Sequence, residues 1–495
     1  MEMRIASLGL LAVHRRSMTD VSGFKNRPSA TGISNVLTFT HQSILNVTPN
    51  EAFEWHERAG AFERLSPPWE RIEVLERTGG IRDGDRLHLK LRRGPFQVHW
   101  EAEHRGYTPG RQFRDEQLKG PFSQWSHTHR FKPDAEGHSI LEDHVEYALP
   151  LGLVGRLLGR SYTERALRQM FAHRHQTTQA DLVRHKRFAD RGAQRVAMTG
   201  SSGLVGSQLT AFLTSGGHHV SRMVRRAPSP DSGEVFWNPE RGETDTAALE
   251  GVDAVVHLAG ENIAAGRWTK ARKESIARSR IDGTRLLSEA LSKLSKPPRV
   301  LLAASAIGYY GDRGNEILTE DSPAKGHAFI TDVCREWEDA TKPAEEAGIR
   351  VVHLRLGVVL SRSGGALAKM TTPFSLGLGG VLSHGRQYMS WISLEDVIGA
   401  TQHAMFTEEL RGPVNLVAPN PVTNRTFTKT LGRVLRRPTL FPVPAVAVKT
   451  LFGQMGEELL LGSARVLPKK LLDSGFKFLY PDLEDTLRAE LGRFS

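Results

Sequence analysis

Cysteine is almost absent. Cys334 is the single one in 495 residues, so no intrachain disulfide can form and the fold must be held by packing. That usage fits a reducing compartment, and a cytoplasmic location is expected. No apolar run reaches the roughly 18 residues a membrane span needs; the most apolar stretches are cut by Arg156 and by Pro442 and Pro444. The apolar run over 5–13 has only Arg4 before it and Arg15-Arg16 after it, with no cleavage pattern, which argues against a secretory leader. Residues 1–35 read as a loose leader, with Met18 as an alternative start. A basic arm is also missing. The chain carries 66 Lys+Arg against 55 Asp+Glu, a net +11, but the two signs interleave through 64–77 and 272–285. No nucleic-acid-binding module is expected from that pattern.

Glycine, by contrast, is used pointedly. The apolar run 196–198 ends in Thr199 and leads into Gly200, Gly203 and Gly206, after which 207–215 has helical spacing and Gly216-Gly217 stops it. Strand, glycine turn and helix in that order make a dinucleotide-binding unit: the glycines let the backbone approach a pyrophosphate, and the helix N-terminus faces the anion. Gly200, Ser201, Gly203, Leu204, Val205 and Gly206 are the expected cofactor contacts. The next strand, over 219–224, ends in Arg225 and Arg226, where an NAD-binding version would carry an acidic residue. Two guanidinium groups suit a 2′-phosphate, so the expected cofactor is NADP(H); the alternative is a solvated basic turn.

The length implies two or three domains. Residues 36–150 read as antiparallel β structure with one helix over 51–62, strands over 72–76, 86–91, 96–104, 112–118, 123–131 and 139–147, and a helical pattern over 153–183. Leu153, Leu157, Leu158, Leu167, Met170 and Phe171 recur at i, i+3, i+4 spacing, so that helix is expected to lay an apolar stripe on the sheet. This element order, with the run Ser126-His-Thr-His-Arg-Phe131 and the run 141–152, resembles the START-like, polyketide cyclase-type helix-grip domains over 36–185. The resemblance implies a cavity for an apolar ligand. Trp125, His127 and His129 share one strand face and either line such a cavity or belong to an ordinary half-buried strand. No third ligand for the two histidines is evident in the sequence, so no metal is expected.

Residues 186–194 read as a linker. From Arg195 on, the chain resembles the extended short-chain dehydrogenase/reductase class, the NAD(P)-dependent epimerase/dehydratase superfamily, and within it an epimerase family with a small tail domain. The motifs follow in register: Thr199-Gly-Ser-Ser-Gly-Leu-Val-Gly206, Val256-His-Leu-Ala-Gly-Glu-Asn-Ile263, Arg267-Trp268, Ser279-Arg280, Ser305-Ala-Ile-Gly-Tyr-Tyr-Gly311, Cys334-Arg-Glu-Trp-Glu338, Arg355-Leu-Gly-Val-Val-Leu360, Leu376-Gly-Leu-Gly-Gly380, Met389-Ser-Trp-Ile392 and Ala418-Pro-Asn-Pro-Val-Thr423. The tail carries Leu461-Gly-Ser-Ala-Arg-Val-Leu-Pro468 and Gly475-Phe-Lys-Phe478. The resemblance implies an α/β fold, a Rossmann-type doubly wound parallel sheet over 195–425, with a helical tail over 426–495. It implies that Leu258, Ala259 and Gly260 lie along the dinucleotide and that Arg280 reaches the cofactor or a substrate anion, or else forms a surface salt bridge. It implies the active-site serine at Ser305, the nicotinamide-flanking segment at Arg355 to Val358, and substrate contacts at Asn262, Trp268 and Trp391, the two tryptophans being otherwise core.

The superfamily's Tyr-x-x-x-Lys pair is missing. Counting back from Glu338, it falls on Ile330 and Cys334; Ile330 carries no proton to pass, and an uncharged cysteine cannot replace the lysine cation. Tyr310 is the preferred substitute acid/base, or a loop tyrosine packed over the cleft. Three functions follow: an NADP-dependent oxidoreductase or epimerase acting on a small carbonyl or sugar-like substrate; a non-catalytic NADP(H)-binding sensor or scaffold; or a lipid or polyketide-type ligand carrier.

Overall fold

Alternation of buried and exposed residues along short strands builds the first part of the chain. In the computed structural model, which describes residues 35–494 apart from 94, 95 and 231, seven strands form one antiparallel sheet. They are β1 (Leu37–Leu45), β2 (Arg71–Thr78), β3 (Arg86–Arg93), β4 (Phe96–Thr108), β5 (Gln112–Lys119), β6 (Gln124–Pro133) and β7 (Ser139–Ala148), in the order β1-β7-β6-β5-β4-β3-β2. The expectations made for residues 1–34 lie outside the described residues. The described chain divides into two units, one of residues up to Glu57 with Leu65–Leu182, the other of Arg58–Arg64 with Val183–Ser495.

In the first unit, Trp125, His127, His129 and Phe131 are all buried on one face of β6. The helix Gly152–Lys186 covers part of that face: the Phe171 ring sits 5.1 Å from the His127 ring and 5.6 Å from Phe39. Two expectations are corrected. First, the apolar stripe is only half used. Leu167 and Phe171 are buried, while Leu153, Leu157 and Leu158 are exposed, because periodicity predicts a face but not what covers it. Second, the histidines do have a third ligand-type neighbour. Asp115 on β5 stands directly opposite His127 in the strand register, a partner that sequence spacing cannot reveal. The helix expected over 51–62 also ends earlier, at Glu57, and a second short helix runs Ala61–Leu65. Between them Gly60, which belongs with Ala211 to the second unit, has φ +94°, and a Cβ there would meet the Ala211 carbonyl oxygen at 2.2 Å.

In the second unit, short apolar strands flanked by helices form a mostly parallel sheet. Its strands are β8 (Arg195–Thr199), β9 (His219–Val224), β10 (Val235–Asn238), β11 (Glu243–Thr244), β12 (Ala254–His257) and β13 (Val300–Ala306), then Arg350–Leu356 and Gly412–Leu416. The order β11-β10-β9-β8-β12-β13 continues to those last two strands, with β11 alone antiparallel. The order reverses direction between β8 and β12, which is where a doubly wound sheet opens a crevice at its carboxyl edge. Val196, Met198, Val256, Leu302 and Leu354 fill one side of the sheet, Val255, Leu301 and Val351 the other. No described helix is long and apolar enough to cross a membrane.

Candidate functional site

The glycine turn follows β8 and leads into the helix Leu204–Ser215, whose N-cap is Gly203. Gly200 has φ +67°, and a Cβ on it would meet the Leu258 backbone at 2.7 Å; one on Gly206 would meet the Gly200 carbonyl oxygen at 2.2 Å. The turn is thus pressed against the end of β12 on one side and the first helical turn on the other, and only glycine fits both places. Thr199 ties the two strand ends together. Its Oγ1 accepts from the Leu258 and Ala259 N–H groups at 3.2 Å each and lies 2.8 Å from His257 Nδ1. Burial lowers the His257 pKa to about 4, so the ring is neutral, with Nε2 3.0 Å from Thr284 Oγ1. Neither Thr199 nor His257 was singled out from sequence, although both stood inside quoted motifs.

Ser201 is buried and Leu204 and Val205 are half-buried at the start of the helix. Arg225 and Arg226 follow β9 on an exposed turn. Arg226 pairs with Glu234 at 2.7 Å, and Arg225 lies 3.5 Å from Glu240. Gly260 follows β12, with the Arg280 guanidinium 3.3 Å from where its Cβ would be. Arg280 is buried, stacked 5.0 Å over the Trp337 ring, and donates to the Ile276 carbonyl, so it is no surface salt bridge.

A second group gathers at the carboxyl ends of β13 and the strand Arg350–Leu356. Ser305 Oγ donates to Glu338 at 2.6 Å. Arg355 clamps the same carboxylate with Nε and Nη2, both at 2.8 Å, and its Nη1 donates to the Tyr310 hydroxyl at 3.0 Å. Tyr310 in turn donates to Asn415 Oδ1 at 2.7 Å. The Tyr309 ring lies 3.5 Å under the Arg355 guanidinium. Burial pushes the Tyr310 hydroxyl up to about 12 against the pull of Arg355. Ile330 and Cys334 lie one turn apart on the helix Phe329–Asp339 and face inward, against Gly308. Burial raises the Cys334 thiol to about 12. The positions of the missing pair are therefore filled by core side chains.

The sites proposed for substrate are less open. Trp268 is buried and donates to the Ile263 carbonyl at 2.9 Å; Trp391 is wholly buried and donates to the Asn420 carbonyl at 3.2 Å. Asn262 Oδ1 accepts from the Ala264 N–H and shapes its own loop. The structure brings Ser305 and Tyr310 into one network through Glu338 and Arg355. It leaves Trp268 and Trp391 in separate hydrophobic clusters.

The NAD dependent epimerase/dehydratase family pattern matches residues 196–416, the polyketide cyclase/dehydrase and lipid transport pattern residues 45–171, and a domain of unknown function residues 443–490. An epimerase family protein of Mycobacterium bovis is 49% identical over 292 residues, covering 59% of this chain and 96% of its own. A Corynebacterium glutamicum structure described as a nucleoside-diphosphate sugar epimerase is similar with a TM-score of 0.76 and 34% identity, covering 92% of this chain and 90% of its own. The human epimerase family protein SDR39U1, solved with NADPH, is similar at 33% identity and a TM-score of 0.56, covering 61% of this chain and all of its own.

Proposed function

Because the chain belongs to the epimerase family of NAD dependent epimerases and dehydratases, we propose that its second unit binds NADP(H) and acts as an oxidoreductase or epimerase on a small carbonyl or sugar-like substrate. The observation that carries the cofactor half is the turn itself: Gly200 and Gly206 leave no room for a Cβ, and the helix that follows presents its N-terminus there. Gly200, Ser201, Gly203, Leu204, Val205 and Gly206 would hold the pyrophosphate, with Leu258, Ala259 and Gly260 alongside. Arg225 and Arg226 would take the 2′-phosphate, Arg226 exchanging Glu234 for it. NADPH in the human relative supports that choice. The nicotinamide supplies or accepts a hydride. On the protein's side, Ser305 is proposed to orient the substrate. Tyr310, whose proton is given to Asn415, is proposed to hold Arg355 in place rather than to move a proton.

A second reading is a non-catalytic NADP(H)-binding sensor, favoured by Ile330 and Cys334 in the core where the proton-transferring pair would stand. In either reading the first unit is proposed to take an apolar ligand, with its family pattern as support. Nicotinamide fluorescence titration tests the common premise. Replacing Arg225 and Arg226 by Ala should weaken NADPH by about tenfold or more, roughly 1.4 kcal/mol, and leave NADH nearly unchanged. Equal losses for both cofactors would refute the 2′-phosphate role. Turnover on a panel of sugar nucleotides and small carbonyls separates enzyme from sensor.

A further inference from the structure

Three adjacent strands of the N-terminal sheet place charged and metal-ligating groups on one buried face. His129 on β6 is paired in register with Asp143 on β7, and His127 with Asp115 on β5, so the two histidines stand between two carboxylates. Each ring turns one nitrogen to each side. Toward β5, His127 Nδ1 is 3.0 Å and His129 Nε2 3.6 Å from the same oxygen, Asp115 Oδ1. Toward β7, His127 Nε2 is 2.8 Å and His129 Nδ1 2.6 Å from Asp143 Oδ1. The last approach is off the line of a hydrogen bond, so Nδ1 of His129, a residue 7% exposed, has no hydrogen-bond partner.

We propose that Asp115, His127 and His129 form a binding site for one first-row divalent cation of the zinc class. One oxygen and two imidazole nitrogens, all within 4.8 Å of one another, converge on the β5 side. Metal bonds of about 2.1 Å put neighbouring ligands about 3.0 Å apart in an octahedral shell and about 3.4 Å in a tetrahedral one. The separations to Asp115 Oδ1 are 3.0 and 3.6 Å, the first an octahedral edge and the second within a few tenths of an ångström of a tetrahedral one. Two histidines and a carboxylate leave positions for water or a ligand, as in catalytic rather than structural sites.

The surroundings are those such a site needs. A metal-bound imidazole usually gives its far N–H to a carboxylate, which fixes its tautomer and orientation. Asp143 Oδ1 is hydrogen-bonded to His127 Nε2 and lies 2.6 Å from His129 Nδ1, and Asp143 is itself held by His175 Nε2 at 2.5 Å, with Ser43 Oγ 2.6 Å from the other nitrogen of His175. Trp125 Nε1 donates at 3.1 Å to Asp115 Oδ2, leaving Oδ1 for the cation. Asp115 keeps a fifth of its side chain exposed, which gives the cation an entry. β6 and β7 pair along their whole length, and β5 pairs with β6 over Gln112–Glu116, so the ligand strands are aligned by the sheet itself.

The test is a titration of untagged, EDTA-treated full-length protein with Zn²⁺ by calorimetry and with Co²⁺ by visible absorption. One equivalent of each should bind, with micromolar or tighter affinity. Asp115→Asn and His129→Gln should each abolish it, and Asp143→Asn should weaken it about 10- to 100-fold by freeing the ring orientation. Asp115→Asn is nearly isosteric, so a native circular dichroism spectrum keeps that arm informative if the histidine variant misfolds. A control is His88→Ala, because half-buried His88 lies 3.1 Å from His99 and offers a competing pair. The proposal is overturned if no stoichiometric binding occurs at about 0.1 mM Zn²⁺, roughly 100-fold above the affinity expected. It is equally overturned if binding survives Asp115→Asn or is lost in His88→Ala.

Discussion

The network around Arg355 and the cluster around His127 are both buried and charged, but they spend their hydrogen-bonding capacity differently. Around Arg355 the side chains of Ser305, Tyr310, Glu338 and Asn415 all have directed partners. Glu338 takes Ser305 and both arms of the guanidinium, and Tyr310 accepts from Arg355 while donating to Asn415. Around His127 two carboxylates face two imidazoles symmetrically and one ring nitrogen is left over. A closed network fixes geometry, because every rearrangement costs a buried hydrogen bond. The open one leaves His129 Nδ1 undirected beside Asp143, while the atoms proposed for a cation face Asp115. The residues that resemble catalytic machinery thus sit in the more rigid cluster, and the spare ligand-binding capacity sits in the other unit.

Breaking the closed network should have the largest effect. Arg355→Met removes the one guanidinium paired with Glu338 among the described residues and leaves a carboxylate that is about one-tenth exposed without that partner. The expected loss is about 3–5 kcal/mol in urea unfolding followed by tryptophan fluorescence. Pairing it with Glu338→Gln should recover part of that loss, because no buried charge is then stranded. A loss below about 1 kcal/mol would mean that water reaches Glu338 and that the network is not closed.

These two clusters also mark how far the sequence is legible. The glycine turn could be read because its geometry is local: Gly200, Gly203 and Gly206 lie in one heptad of chain between a strand and a helix. The parallel, doubly wound character of the sheet followed from the same alternation of strand and helix, but not its strand order. The Arg355 network could not be read as a network. Its members stand at 305, 310, 338, 355 and 415, and only the parallel pairing of β13 with Arg350–Leu356, and of that strand with Gly412–Leu416, brings them together. Asp115 escaped notice for the same reason, since the pairing of Asp115 with His127 depends on hairpin register. The stripe at Leu153, Leu157 and Leu158 failed in the opposite direction, being regular in sequence and uncovered in the fold.

A smaller effect tests burial of a carboxylate where hydrogen bonds stand in place of a guanidinium. Glu490 ends the helix Leu483–Glu490, is buried, and accepts the Arg362 N–H at 2.8 Å. Burial, helped by the charge of Glu395, pushes it up from 4.5 to about 8 despite that hydrogen bond. The folded protein therefore holds a proton that the unfolded chain has released between those two values. Its contribution to stability is complete below the unfolded value and is lost as pH rises through the folded one. Stability should fall by about 3–4 kcal/mol between about pH 5 and about pH 8, and Glu490→Gln should flatten that slope. An unchanged slope in the variant would show that Glu490 is not buried as a neutral acid.

The smallest effect separates the two roles open to Tyr310. Its hydroxyl lies between Arg355 and Asn415, and burial holds it protonated with a pKa of about 12. A hydroxyl protonated near neutrality can position Arg355 and Asn415 or serve as an acid, and the variant distinguishes the two. Tyr310→Phe keeps the ring and deletes the hydroxyl, so about 1 kcal/mol of stability should be lost and NADPH affinity should not change. If a substrate is found, turnover should drop only a few-fold, with no new limb in the pH profile. A fall of about 10²–10⁴ in kcat at constant stability would instead make Tyr310 the acid or base of the reaction. It would also mean that substrate binding opens a network that is closed in the free protein.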